Sequence, residues 1–349
     1  MIGYWLITRR MPLLWSISAL TLLTIVVGHF APPRPQIYYL SWQPGIPPLM
    51  VALDVDRGTS VQFASEPPLP WAAVSDWALS PDGRYLVFEN NFDLMRTGIR
   101  GTDPIWITQD DMNNHAPVWS PDGTKIAFVS ERDNNGEIFV INADGTNPQR
   151  LTFNDRYDDT PVWSPDGSHI AFVSTQDQDT DIYVVDADGN NLQRLTASSG
   201  QNNAPVWSPD GTQILFVSYR DGDADLYVID SAGSSPRPLT LNNSHDLNPA
   251  WSPDGQQIVF KSNRDGPNFG IYLMDADGRN QRPLITTEGG DSSPMWSPDG
   301  HFITFFGVGK SVGQTYIVNA DGGGLRLLTT TEHPVYSPVW SLPSLRRLR

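Results

Sequence analysis

From residue 79 onward the apolar positions of this chain gather into short runs, held apart by turns rich in Gly, Pro and Asp. One period, Ala116 to Thr152, reads APVWSPDGTKIAFVSERDNNGEIFVINADGTNPQRLT, and near-copies of it follow one another. Its "APVW" predicts a first strand, A. "SPDG" predicts a tight turn with Ser first, Pro pre-set at the second position and Gly at the fourth. "KIAFVS" (Lys125 to Ser130) predicts strand B and "EIFVIN" (Glu137 to Asn142) strand C. Both are almost unbroken apolar runs, as strands buried between neighbouring sheets require. "ADG" closes the C–D hairpin, with Gly145 free to take a positive φ, and "PQRLT" predicts strand D.

The period is regular. Trp119, Trp163, Trp207, Trp251, Trp296 and Trp340 each open a "WS" pair, at spacings of 44, 44, 44, 45 and 44 residues. An earlier "LSPDG", Leu79 to Gly83, stands 40 residues before Trp119. Strand-like repeats of this length predict a β-propeller with one four-stranded blade per repeat, because a lone blade cannot bury both of its faces. Strand A occurs seven times, and its last copy, ending near Trp340, has no B, C or D after it. The missing three appear at the other end: Gln36 to Trp42 as B, Leu49 to Gly58 as C and Ser60 to Ser65 as D. The expected fold is therefore all-β, a seven-bladed β-propeller whose last blade joins both ends of the chain. Six blades is the alternative, should either terminal segment fail to pair.

The pattern PVWSPDG…IAFVS…RDG…IYVVDADG…LT resembles the TolB-type family of periplasmic β-propeller repeats over roughly residues 36–341. It is also similar to the propeller halves of prolyl-oligopeptidase-type enzymes. The resemblance implies the propeller fold and is weakly specific for function. Two features depart from the family: "RTGIRGTD" replaces the DADG hairpin in the first complete repeat, and an apolar segment stands where the family has a separate α/β domain.

That segment, residues 11–30, contains no Asp, Glu, Lys or Arg. Twenty residues at 1.5 Å each can cross a ~30 Å hydrocarbon layer. Arg9 and Arg10 precede it, which predicts a cytoplasmic N-terminus and an extracytoplasmic remainder, periplasmic or extracellular. A cleaved signal peptide is the rival reading, but "GHFAPPRP" offers a poor small-x-small site. The expected organisation is a short cytoplasmic stretch (1–10), a single-pass signal-anchor helix (11–30), a Pro-rich linker (31–35), the propeller (36–341) and a basic tail (342–349).

Composition narrows the chemistry. The net charge of −16 excludes a broad nucleic-acid footprint, and with no cysteine there is no disulfide, thiolate metal site or Cys nucleophile. No G-x-S-x-G elbow occurs, and only nine residues follow Trp340. Five residues before the repeat Trp stand Asn114, Asp158, Asn202, Asp246 and Asp291. Short acceptors there suit an Asx turn that starts strand A, or a polar ring at the channel mouth that meets a partner, and the two readings are compatible. His115, His245 and His333 fall in the same D–A loops without a common offset, so they read as scattered loop histidines rather than a metal cluster, and join the Asx residues as candidates for the partner-binding channel mouth. In the B–C loops, "DQDTD" carries Asp177, Asp179 and Asp181, and "DGDAD" carries Asp221, Asp223 and Asp225. Alternating carboxylates are candidate Ca²⁺ ligands, against the plainer reading of solvated acidic turns; no other cofactor is expected. The sequence thus predicts a monomeric, membrane-anchored module that binds a protein partner through its channel-mouth face. The alternatives are a propeller-type enzyme, a carbohydrate lyase or hydrolase, or a small-ligand sensor.

Overall fold

The Ser-Pro-Asp-Gly turn explains how each repeat begins. Ser120 Oγ donates to Asp122 Oδ1 at 2.7 Å, the Thr124 N–H donates to the same carboxylate oxygen at 3.0 Å, and the Lys125 N–H returns to Ser120 Oγ at 2.9 Å. The Gly123 N–H closes the turn on the Ser120 carbonyl at 2.9 Å, with Gly123 at φ 70°. The turn thus closes on its own side chains and backbone as strand A runs into strand B.

A computed structural model describes residues 36–43, 46–55, 59–63, 76–110, 112–133, 135–176, 179–197, 200–308, 313–329 and 335–341. The expected anchor 11–30, its flanks 1–10 and 31–35, and the tail 342–349 lie outside them. Among the described residues no helix is long and apolar enough to cross a membrane.

The described strands form seven four-stranded antiparallel sheets. Sheet 1 takes Trp77–Leu79, Tyr85–Asn90, Asp93–Gly98 and Ile105–Trp106 as strands A to D. Sheets 2 to 6 repeat the order, with strands A at Asn114–Trp119, Tyr157–Trp163, Asn202–Trp207, Asp246–Trp251 and Asp291–Trp296. Sheet 7 pairs Val335–Ser341 with Gln36–Gln43, which continues to Ile46–Asp54 and Thr59–Phe63.

Successive sheets from 1 to 7 pack face to face. In sheets 1 to 6 strand B places one fully buried Phe between the layers: Phe88, Phe128, Phe172, Phe216, Phe260 and Phe305. The strand C aromatics Phe139, Tyr183, Tyr227, Tyr272 and Tyr316 lie 5.5–5.9 Å from the last five, centroid to centroid. The repeat Trp ties adjacent sheets: Trp119, Trp163 and Trp207 donate Nε1–H to the carbonyls of Ala78, Val118 and Val162, each in the preceding strand A, at 3.2–3.3 Å. Turns nest as well, since a Cβ on Gly123, Gly167 or Gly211 would meet Pro81, Pro121 or Pro165 of the preceding turn at 3.6–3.7 Å. Strands A of neighbouring sheets touch one another, whereas the short strands D touch mainly their own strand C. Strand A is thus the inner strand.

Candidate functional site

The Asx residues that start strand A are buried: Asn114, Asp158, Asn202 and Asp246 have no exposed surface and Asp291 has 2%. Their side chains turn back on the loop that enters the strand. Asn114 Nδ2 donates to Asp110 Oδ1 at 2.8 Å, and Asp158 Oδ2 accepts from Asn154 Nδ2 at 2.7 Å. Asp246 Oδ2 accepts from Asn242 Nδ2 at 2.8 Å, and Asp291 Oδ2 accepts from the Thr287 N–H at 2.8 Å. In these four sheets the partner stands four residues upstream. Asn202 Nδ2 instead donates to the Gly200 and Thr180 carbonyls at 3.2 Å. Burial pushes the carboxyls of Asp158 and Asp291 up, against the hydrogen bonds that hold them down. These are the geometries of loop caps, and the ring they form lies beneath the surface.

The next position is half-buried, and the one after it is exposed in four of the five sheets and half-buried at Ala116. Ala116, Thr160, Ala204, Asn248 and Ser293, three residues before each Trp, have φ of 49°, 51°, 52°, 49° and 50°. At each of them the A–B ladder slips by one residue, for example between His115 and Val118. A buried Pro follows every time, Pro117 to Pro294, and has no N–H to give the ladder. A left-handed non-glycine residue before proline is doubly disfavoured, and Thr160 is β-branched as well. Five sheets hold the same strained bulge on their inner strand.

The bulge presents residues that differ from sheet to sheet: His115 and Ala116, Asp159 and Thr160, Asn203 and Ala204, Leu247 and Asn248, Ser292 and Ser293. Between sheets 1, 2 and 3 they line a cavity of about 410 Å³, bounded by Asp76, Trp77, residues 115–118 and residues 159–162. At its rim His115 Nε2 lies 3.2 Å from Tyr157 Oη, and Tyr157 Oη donates to Glu131 Oε1 at 2.7 Å. His115 Nε2 is 3.7 Å from the same carboxylate. The hydrogen bond from Tyr157 holds the Glu131 carboxyl below its usual range, while burial and Glu131 push the Tyr157 hydroxyl up. Gly136 makes room for this tyrosine, since a Cβ there would meet Tyr157 Cζ at 2.8 Å. A His–Tyr–carboxylate chain beside an open cleft can orient a hydrogen-bonding ligand or a peptide backbone.

The remaining sequence candidates do not gather. His245 is exposed, and its Nδ1 accepts the Ala224 N–H at 3.2 Å; His333 lies outside the described residues. Among the described residues no three His, Asp or Glu side chains form a metal-holding group. Of the acidic loops, Asp177 lies outside the described residues, Asp179 is exposed, and Asp181 is buried against Thr196 and Arg194. Asp221 accepts from Tyr227 Oη at 2.6 Å. Asp223 and Asp225 each keep one buried oxygen without a hydrogen-bond partner. Sequence reasoning singled out the position that is Asn or Asp in five successive copies. Of the two positions after it, sequence reasoning named only His115; the signal of the others is that they change between copies at a fixed offset from Trp.

Stacked four-stranded antiparallel sheets with an inner strand A define a β-propeller. Two family models match the chain: the Tricorn protease N-terminal beta propeller domain at residues 79–180 and 178–271, and the TolB beta propeller domain at 243–344. The first spans more than half of the chain, and the chain belongs to this family of Tricorn- and TolB-type β-propeller domains. Among solved structures it is similar to TolB from Acinetobacter baumannii (20% identity, TM-score 0.56, 87% of this chain and 82% of that one). It is also similar to putative TolB from Agrobacterium tumefaciens (26% identity, TM-score 0.54, 81% and 97%). An oligogalacturonate lyase in complex with manganese shares the fold at 18% identity (TM-score 0.62, 78% and 83%). No curated protein sequence matches the chain.

Proposed function

We propose that this chain is a monomeric seven-bladed propeller, anchored by residues 11–30 on the extracytoplasmic side of a membrane, that binds a protein segment along its inner strands. The observation that carries the reading is the repeated bulge. It exposes variable residues on an otherwise uniform scaffold, as a binding module needs and a purely structural repeat does not. Pairing of Val335–Ser341 with Gln36–Gln43 supports the seventh blade, and the uncharged segment 11–30 after Arg9 and Arg10 supports the anchor. The TolB-type repeats are consistent with a periplasmic setting.

A photo-crosslinking residue at Thr160 or Asn248 tests it, with Asp144 in an exposed turn as the reference position. A protein partner trapped at the first two, and lost when His115, Asp159 and Asn203 are all changed to Ala, supports the reading. Equal trapping at all three positions overturns it. The cavity beside His115 favours a second reading, a small ligand, because its volume falls in the ~300–1,000 Å³ range of ligand pockets. That reading moves ahead if a small molecule from envelope extract protects His115 from chemical modification while no protein is trapped.

A further inference from the structure

Sheets 2 and 3 bury the same ionic arrangement at the start of strand C. A carboxylate, Glu137 or Asp181, accepts from the hydroxyl of a threonine after strand D, Thr152 or Thr196. The other carboxylate oxygen accepts from an arginine two residues before that threonine, Arg150 or Arg194. The charge is buried but paired, which is the condition under which a buried carboxylate is tolerated.

Sheet 4 keeps two of the three parts. Thr240 Oγ1 donates to Asp225 Oδ1 at 3.0 Å. The arginine is replaced by Pro238, in the same register: Pro238 lies opposite Tyr227 as Arg150 lies opposite Phe139 and Arg194 opposite Tyr183. Asp225 is 1% exposed and its Oδ2 has no hydrogen-bond partner. Two further buried oxygens in the adjoining loops, Asp223 Oδ2 and Asn242 Oδ1, also have none. Asp223 and Asp246 lie close enough for their charges to act on Asp225. Asp246 is neutralised by Arg264 Nη2 at 2.9 Å and tied to Asn242 Nδ2, so it is already spent. Among the described residues no ion pair reaches Asp223 or Asp225. The charge of Asp223 acts on Asp225 and the Asn242 backbone N–H reaches its carboxylate, so the three residues lie together, each with one buried oxygen that no side-chain donor or cation meets among the described residues.

We propose that Asp225 Oδ2, Asp223 Oδ2 and Asn242 Oδ1 bind one hard divalent cation, calcium by preference, in the place that the arginine fills in sheets 2 and 3. Oxygen-only ligands, two of them carboxylates, suit calcium. Irregular spacing across two loops suits it better than magnesium, which demands a near-ideal octahedron. The ion would clasp the B–C loop at 221–225 to the D–A loop at 240–246, next to the inner bulge of sheet 5.

Calorimetric titration of the full chain with calcium chloride, alongside thermal unfolding in calcium and in EDTA, tests this. The expected result is one saturable site and a midpoint raised by a few degrees in calcium but not in magnesium. Asp225→Asn keeps the Thr240 contact and should weaken calcium binding by about tenfold or more. Pro238→Arg restores the missing guanidinium; it should abolish calcium binding and raise the midpoint in EDTA. Asp179→Asn should change neither. The proposal is overturned if the unmodified chain takes up no calcium at millimolar concentration, or if Pro238→Arg binds calcium as before. Should Asp225→Asn fail to fold, the Pro238→Arg arm still decides.

Discussion

Tryptophan at the end of strand A has one packing role and two hydrogen-bonding states. Trp207 Nε1 reaches the Val162 carbonyl at 3.2 Å, whereas the buried Nε1 of Trp251 has no partner. Trp207→Phe should therefore destabilise the protein by about 1 kcal/mol more than Trp251→Phe, and denaturant unfolding of the two variants measures the difference. Asp225 gives a second test at this scale. Burial pushes its carboxyl from 3.8 up to about 6, with the charges of Asp223 and Asp246 acting in the same direction. The folded state then holds this proton more tightly than the unfolded state does. Without a bound cation, the group's contribution is greatest below about pH 4 and is lost as pH rises to about 6. The loss is at most about 3 kcal/mol. Asp225→Asn should flatten that slope in EDTA, which unfolding midpoints between pH 4 and pH 7 would show.

Strands and turns are the level at which the sequence speaks most clearly. Lys125–Ser130 and Glu137–Asn142 fall where their apolar runs place them, because a strand buried on both faces has little choice of boundary between two tight turns. The bulge in strand A was harder to read. "NHAPVW" looks like an ordinary strand, and only the Pro at its fourth position, unable to donate to a ladder, hints that pairing breaks there. The Asx residue pairs in register before the slip with its side chain buried against the loop, and the residue at the slip faces outward in four of the five sheets. Thr160 offers the direct test of the strain. Thr160→Gly should stabilise the fold by about 1 kcal/mol, the relief of a left-handed β-branched residue exceeding the added chain entropy, while Ala204→Gly should gain less. Thermal unfolding of both variants checks the order.

For the whole molecule, the informative joint is sheet 7, where Val335–Ser341 adds to Gln36–Gln43. Complementary strand counts at the two ends made it legible, since one A without B, C and D calls for three strands elsewhere. Deletion of residues 335–349 leaves the Gln36–Gln43 edge unpaired. The expected outcome is a lower thermal midpoint and concentration-dependent association, read by size-exclusion chromatography. What could not be read at this scale is the difference between copies of one device. The Pro at 238 is unremarkable in a linear sequence, and becomes informative only when the register sets it where its neighbours carry Arg150 and Arg194.

The tryptophan ties carry a further consequence. Trp119, Trp163 and Trp207 all donate backward, to the strand A that precedes them, and the proline–glycine turns nest in the same sense. Through sheets 1 to 4 the joint between one sheet and the next is therefore the same joint, used again and facing the same way, and the nested turns carry that sense on to sheet 6. Such a chain behaves like a string of interchangeable couplings. Cutting out residues 153–196 and 197–240, each of 44 residues, and rejoining them in reverse order should give a protein that still folds but presents its inner residues in a new sequence.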